Sequence, residues 1–266
     1  RKEMEREIQS IEESYKDVKK NVELHELIDE FEQSEYRLGA ELYNIENTIN
    51  YQTKEILNIM IQKDIFQIKE CDDYNEENEY VLTNRGVECS CIAEIHPLVL
   101  VEMMHNWDYF SLFTSTQLVG LLSCFTDIKV PEEYKDTQVR SKDKFLNIKI
   151  NELNNKYLEY FDMEIENEIY TEYKYENALQ YDLVDIVMKW SMCEDEESCK
   201  HVIQHDLYQK DISVGDFNKA LLKIVTISKE FIKIFEMTER VEELQKFSLI
   251  EKYLLKYVAT SQSLYV

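Results

Sequence analysis

Glycine and proline are nearly absent from this sequence, with 4 glycines and 2 prolines in 266 residues. Turns that need a left-handed backbone and breaks that need a locked one are therefore scarce, which favours long helices. No apolar run reaches the roughly 18 residues that a membrane-spanning helix needs, so no membrane partner is expected. Residues 1–10 carry no basic-then-apolar leader. The chain begins with Arg1 rather than Met, which points to a segment of something longer. No Gly-x-x-x-x-Gly-Lys-[Ser/Thr] run is present to cradle nucleotide phosphates. An Asp-Glu-x-[Asp/His] box, a Gly-x-Ser-x-Gly elbow and a His-Glu-x-x-His pair are missing too. The segment alone is expected to be inactive as an ATPase and to hold no catalytic residue. His96 and His105, near Trp107 and Asp108, imitate an acid–base pair, but no nucleophile accompanies them.

Acidic residues dominate the charge, 54 against 30 basic, for a net −24. Such a surface repels phosphate at long range, which argues against a free-standing nucleic-acid binder and leaves room only for a local basic face. The six cysteines sit in a long, helix-rich chain without a leader. That usage fits reduced thiols in an intracellular protein, without dividing nucleus from cytoplasm.

Along the chain, Ile8, Ile11, Tyr15, Val18 and Val22 form a narrow helical stripe suited to a stalk. A second helical pattern runs from about Ser34 to Ile65, and the two are expected to fold as an antiparallel hairpin. Cys71 to Glu79 reads as an acidic loop. Tyr80-Val81-Leu82-Thr83 and Val87 to Ile92 flank Asn84-Arg85-Gly86, and this turn chemistry predicts a β-hairpin. On that hairpin Cys89 and Cys91 share one face as two small buried hydrophobes. Pro97 opens a helix, Thr114-Ser115-Thr116 precedes another, Pro131 to Asp136 is a linker, and residues 137–165 form a long polar-faced helix. The tyrosines from Tyr157 to Tyr181 are expected to line helix contacts with their hydroxyls in water. The fold class expected is mainly α: a helical bundle with one small β-hairpin and an N-terminal helical stalk. The division expected is a stalk over 1–79 and a helical domain over 80–266.

Residues 214–237 read as a sharply two-sided helix. Phe217, Leu221, Ile224, Val225, Phe231, Ile232 and Phe235 mark its apolar face, interrupted by Ser228. Lys219, Lys223, Thr226, Glu230 and Lys233 mark the other. By composition this is a solvated face; the functional alternative is a helix laid along single-stranded RNA. Cys193, Cys199, His201 and His205 make a Cys-x5-Cys-x-His-x3-His run that invites comparison with a zinc site. The first spacing is looser than usual and acidic residues fill it, so no metal is expected there.

Several of these runs, in order, resemble the C-terminal (DSHCT) domain of exosome-associated DExH-box RNA helicases of the superkiller/TRAMP type. Asn84-Arg85-Gly86-Val87-Glu88-Cys89 is similar to the family's Lys-Gly-Arg-Val-Ala-Cys, with Gly and Arg exchanged. Leu118 to Phe125 is similar to its Ala-Leu-Leu-Ser-Cys-Phe helix. Leu183 to Trp190, Val214-Gly215-Asp216 and a last helix closing on Ser263-Leu264-Tyr265 complete the series. Residues 1–79 resemble in character the stalk that carries the family's arch. The resemblance implies that residues 214–237 are the ratchet helix beneath two motor domains. Lys223 then falls where the family has an RNA-contacting Arg, Thr226 where it has Glu, and Lys219 on a further basic position. Lys keeps the charge of Arg but loses its planar fork. The implied whole is an ATP-dependent 3′-to-5′ RNA helicase of RNA processing or decay. ATP and Mg²⁺ belong to the full-length protein, with none in this segment. The implied partners are RNA, the chain's own motor domains and RNA-decay machinery. The alternative is a non-catalytic helical scaffold, a protein-interaction module derived from that domain.

Overall fold

The computed structural model describes residues 1–69 and 79–257. The loop expected at Cys71 and the closing run Val258 to Val266 lie outside the described residues. The described residues are mainly helical with one two-stranded antiparallel hairpin, as the glycine and proline scarcity predicts. None of their helices is long and apolar enough to cross a membrane. The chain divides into two units, Arg1–Ile56 and Leu57–Val266.

The first unit lies within a single helix, α1 (Lys2–Gln62). The antiparallel pair expected there does not form. Between the two apolar patterns, Glu23 to Gln33 holds no glycine or proline to turn the chain, so the helix continues through it. Ile8, Ile11, Tyr15, Val18 and Val22 are exposed along it, as are Leu38, Leu42, Ile45 and Ile49.

In the second unit, β1 (Phe66–Lys69) pairs with β2 (Glu79–Leu82), Phe66 opposite Leu82. The hairpin is real but displaced. Tyr80 to Leu82 is one of its strands, whereas the Asn84-Arg85-Gly86 segment expected as its turn opens α2 (Asn84–Ser90). Thr83 decides this: its hydroxyl accepts the Gly86 N–H at 3.0 Å and caps the helix. Cys89 consequently lies on a helix and Cys91, partly buried, caps its C-terminus; burial pushes the Cys89 thiol up to about 12.

The remaining helices start where their caps dictate. His96 caps α3 (Pro97–Asn106), and Thr114 with Gln117 forms a capping box on α4 (Ser115–Leu122). Asp143 caps α5 (Lys144–Glu166), which begins seven residues later than periodicity alone places it. Then come α6 (Val184–Met192), α7 (Glu196–His201) running into a π-helical turn, α8 (Val214–Met237) capped by Ser213, and α9 (Val241–Leu254).

Helix α4 is the hub, packed on α5, α6, α8 and α9. Gly120 permits this: a Cβ there would lie 2.7 Å from Leu146 Cδ2 and 2.9 Å from Met188 Sδ. Phe110, Phe231, Phe235 and Phe247 form an aromatic cluster under the α8–α9 pair, with Phe110 edge-on to Phe231 at 5.3 Å. Several tyrosine hydroxyls find protein rather than water. Tyr160 donates to Glu102 of α3 at 2.7 Å and Tyr175 to Glu164 of α5 at 2.6 Å, carboxylates brought to them by packing of separate elements. Burial pushes the Glu102 carboxyl up, but Lys156, Tyr160 and Lys63 outweigh it and hold the group down at about 2.

Candidate functional site

Helix α8 carries a long apolar face, and the bundle covers it. Phe217, Leu221, Ile224, Ile227, Phe231 and Ile234 are inaccessible to solvent. Ser228 is buried with them and satisfies itself by donating to the Val225 carbonyl at 2.7 Å.

At about 100° per residue, Lys219, Leu222, Thr226, Lys229 and Lys233 share a strip, and all five are exposed. Lys219 reaches outward, its side chain 80% exposed, with Asp216 at 3.1 Å. An exposed pair of this kind holds its lysine weakly. The Thr226 hydroxyl donates to the Leu222 carbonyl at 3.0 Å. Lys229 meets Glu251 of α9 at 2.9 Å. Lys233 makes no ion pair or hydrogen bond with the described residues.

Lys223 lies at the edge of this strip rather than in it. Its ammonium is paired with Glu94, and its side chain is 28% exposed. Glu230, expected on the polar face, is 7% exposed. Its carboxylate accepts the backbone N–H groups of Ala93 at 3.1 Å and Glu94 at 3.2 Å. The segment between α2 and α3 thus crosses this flank of α8, pinned by Glu230 and bridged by Lys223. Sequence spacing cannot show that cover, because Glu94 lies 129 residues from Lys223. The three-four spacing that would have added Leu222 and Lys229 to the strip was available.

The four residues of the Cys-x5-Cys-x-His-x3-His run do not converge. The Cys193 thiol donates to the Lys189 carbonyl at 3.3 Å, and Cys199 is buried. The His201 and His205 rings stack on each other at 5.2 Å on exposed residues.

The two histidines considered together in the sequence part company. His105 bonds the buried carboxylate of Glu88, which also accepts the Tyr109 hydroxyl at 3.0 Å. Asp108, Tyr109 and Phe110 carry φ of 45°, 53° and 65° in succession, a left-handed turn without glycine. Its strain is offset by Phe110 in the core, by the Glu88 bond and by Arg240 lying 3.3 Å over the Tyr109 ring. Trp107 turns elsewhere, donating to Glu152 at 2.7 Å.

His96 is enclosed by Tyr157, Tyr160, Tyr173 and Tyr175, and its Nδ1 accepts the Val99 N–H at the start of α3. Burial pushes the imidazole down to about 4, against an opposing backbone hydrogen bond. Between pH 6.5 and about 4 the unfolded chain takes up a proton that folded His96 refuses, so stability falls as pH drops through that window. His96→Asn, which still caps α3, is expected to flatten this part of the profile by roughly 1–3 kcal/mol. Urea midpoints at closely spaced pH values measure it; an unchanged slope in the variant would assign the titration elsewhere.

No protein-family model matches this chain, and a search of curated proteins finds no match.

Proposed function

We propose that this chain is the C-terminal RNA-path segment of an ATP-dependent 3′-to-5′ DExH-box RNA helicase of RNA processing or decay. The observation that carries the reading is α8: its apolar face is buried, with only Ile232 partly exposed, while a continuous strip of Lys219, Leu222, Thr226, Lys229 and Lys233 remains open. A rigid helix with lysines at successive turns can follow a phosphate backbone, and small or apolar positions between them leave bases room to pass. The ordered resemblance to the DSHCT domain supplies the motor, the ATP and the Mg²⁺, all outside this segment. On this reading Lys219 and Lys233 meet phosphate directly, and Lys223 does so from the flank, while bridged to Glu94.

A second reading has an observation of its own. The lysines at 219, 223 and 229 already have carboxylate partners, and α1 exposes an apolar stripe over many turns. Both features suit a scaffold that binds protein. The reading frame preceding Arg1 separates the two. A P-loop and a DExH box encoded there are expected; a frame that opens without either motor motif would favour the scaffold.

A further inference from the structure

A cleft of about 660 Å³ opens between the α2–α3 segment, Phe125 and the chain from Thr171 to Gln180. Its volume lies in the range of small-ligand sites. Pro97, Leu98 and Phe125 give it apolar walls. Tyr173 gives it an aromatic one, edge-on to His96 at 4.8 Å and backed by the stacked Tyr157 ring.

The polar lining is one-sided. Glu94, Asp127, Glu164 and Gln180 bring acceptor groups to it, of which Glu94 is already paired with Lys223 and Glu164 already accepts the Thr171 and Tyr175 hydroxyls, and Lys174 is the only cation among the lining residues. Asp127 makes no hydrogen bond or ion pair with the described residues, although its backbone is held left-handed at φ 52°. Gln180 Oε1 is buried without a hydrogen-bond partner, while its backbone N–H donates to the Cys124 carbonyl at 2.9 Å. A buried acceptor left empty is costly, and a donor arriving there recovers that cost.

We propose that this cleft binds an arginine side chain from a basic segment of a protein partner. A guanidinium brings five donors in a planar fork, which suits carboxylates and an amide oxygen set around an aromatic wall. Its face stacks on a ring such as Tyr173, and its three-carbon stem lies along apolar surface such as Pro97 and Leu98. A lysine offers a compact charge without the plane. A phosphate meets acceptors on most sides and is repelled. The cleft and the α8 strip therefore have opposite chemistry.

The test uses the intact chain and a fluorescein-labelled peptide, Gly-Ser-Leu-Arg-Leu-Arg-Ser-Gly, read by anisotropy. Comparison peptides carry lysine or citrulline in place of both arginines. Saturable binding is expected, with Asp127→Asn and Tyr173→Ala each weakening it at least about fivefold. Glu133→Gln, which removes one exposed charge elsewhere, is expected to change it less than about twofold. Both comparison peptides are expected to bind less tightly. Because Asp127 is exposed, its variant keeps the test informative even where Tyr173→Ala perturbs folding. Equal losses for Asp127→Asn and Glu133→Gln would mean diffuse attraction to an acidic protein and would overturn the proposal. So would an absence of saturation, or displacement of the peptide by an oligouridylate.

Discussion

Replacing Gly86 with alanine is expected to destabilise the second unit by about 3 kcal/mol or more. The prediction runs against helix propensity, since Gly86 lies in α2 and alanine in a helix is ordinarily favoured by roughly 0.5–1 kcal/mol. The cause is steric rather than conformational, because no glycine here has a positive φ. A Cβ on Gly86 would overlap the Ile65 carbonyl oxygen and lie 2.8 Å from Leu82 Cδ2. The carbonyl cannot simply withdraw, because it accepts the Thr83 N–H at 3.0 Å and so fixes the start of α2. Chemical denaturation of the variant measures the loss. A stabilised variant would mean that the chain from Ile65 does not run against α2.

Trp190→Ala is expected to cost about 3–5 kcal/mol. The indole is wholly buried, stands edge-on to Phe217 at 5.3 Å, and donates from Nε1 to the Leu254 carbonyl at 2.9 Å. Leu254 ends α9, where carbonyls lack helical partners. Truncation therefore opens a cavity and strands an acceptor together. Trp190→Phe keeps much of the volume and loses the donor, so it is expected to fall clearly between wild type and alanine. Equal, small losses of under about 1 kcal/mol in both variants would contradict a packed α6–α8–α9 junction.

Much of this architecture is legible in local chemistry. The α8 boundaries follow from the Val214 to Met237 stripe, and Pro97 and Thr114 announce α3 and α4. What escapes local reading depends on partners far along the chain. Asn84-Arg85-Gly86 carries turn chemistry, but Thr83 recruits Gly86 into a helix while β2 takes its partner from Phe66 to Lys69, a run too short to declare itself. The stalk reads as two helices, but Leu24, Leu27, Ile28 and Phe31 carry the apolar pattern across its middle, where no glycine or proline interrupts it. Lys219 and Thr226 fall on the open side as their spacing says. Lys223 and Glu230 do not, because a segment more than a hundred residues away crosses that flank. The His105–Glu88–Tyr109 network has no local signature at all.

The RNA-path role is tested most directly by unwinding in the full-length protein carrying Lys219→Ala and Lys223→Ala, with thermal stability measured on the same sample. These lysines are paired near the surface, so the expected stability loss is no more than about 1 kcal/mol. Unwinding per folded molecule is expected to fall at least about fivefold at low salt, and the deficit should narrow as salt rises, because a variant with fewer phosphate contacts has the shallower salt dependence. Unchanged unwinding per folded molecule, with a lower melting temperature, would make these lysines structural and contradict the reading.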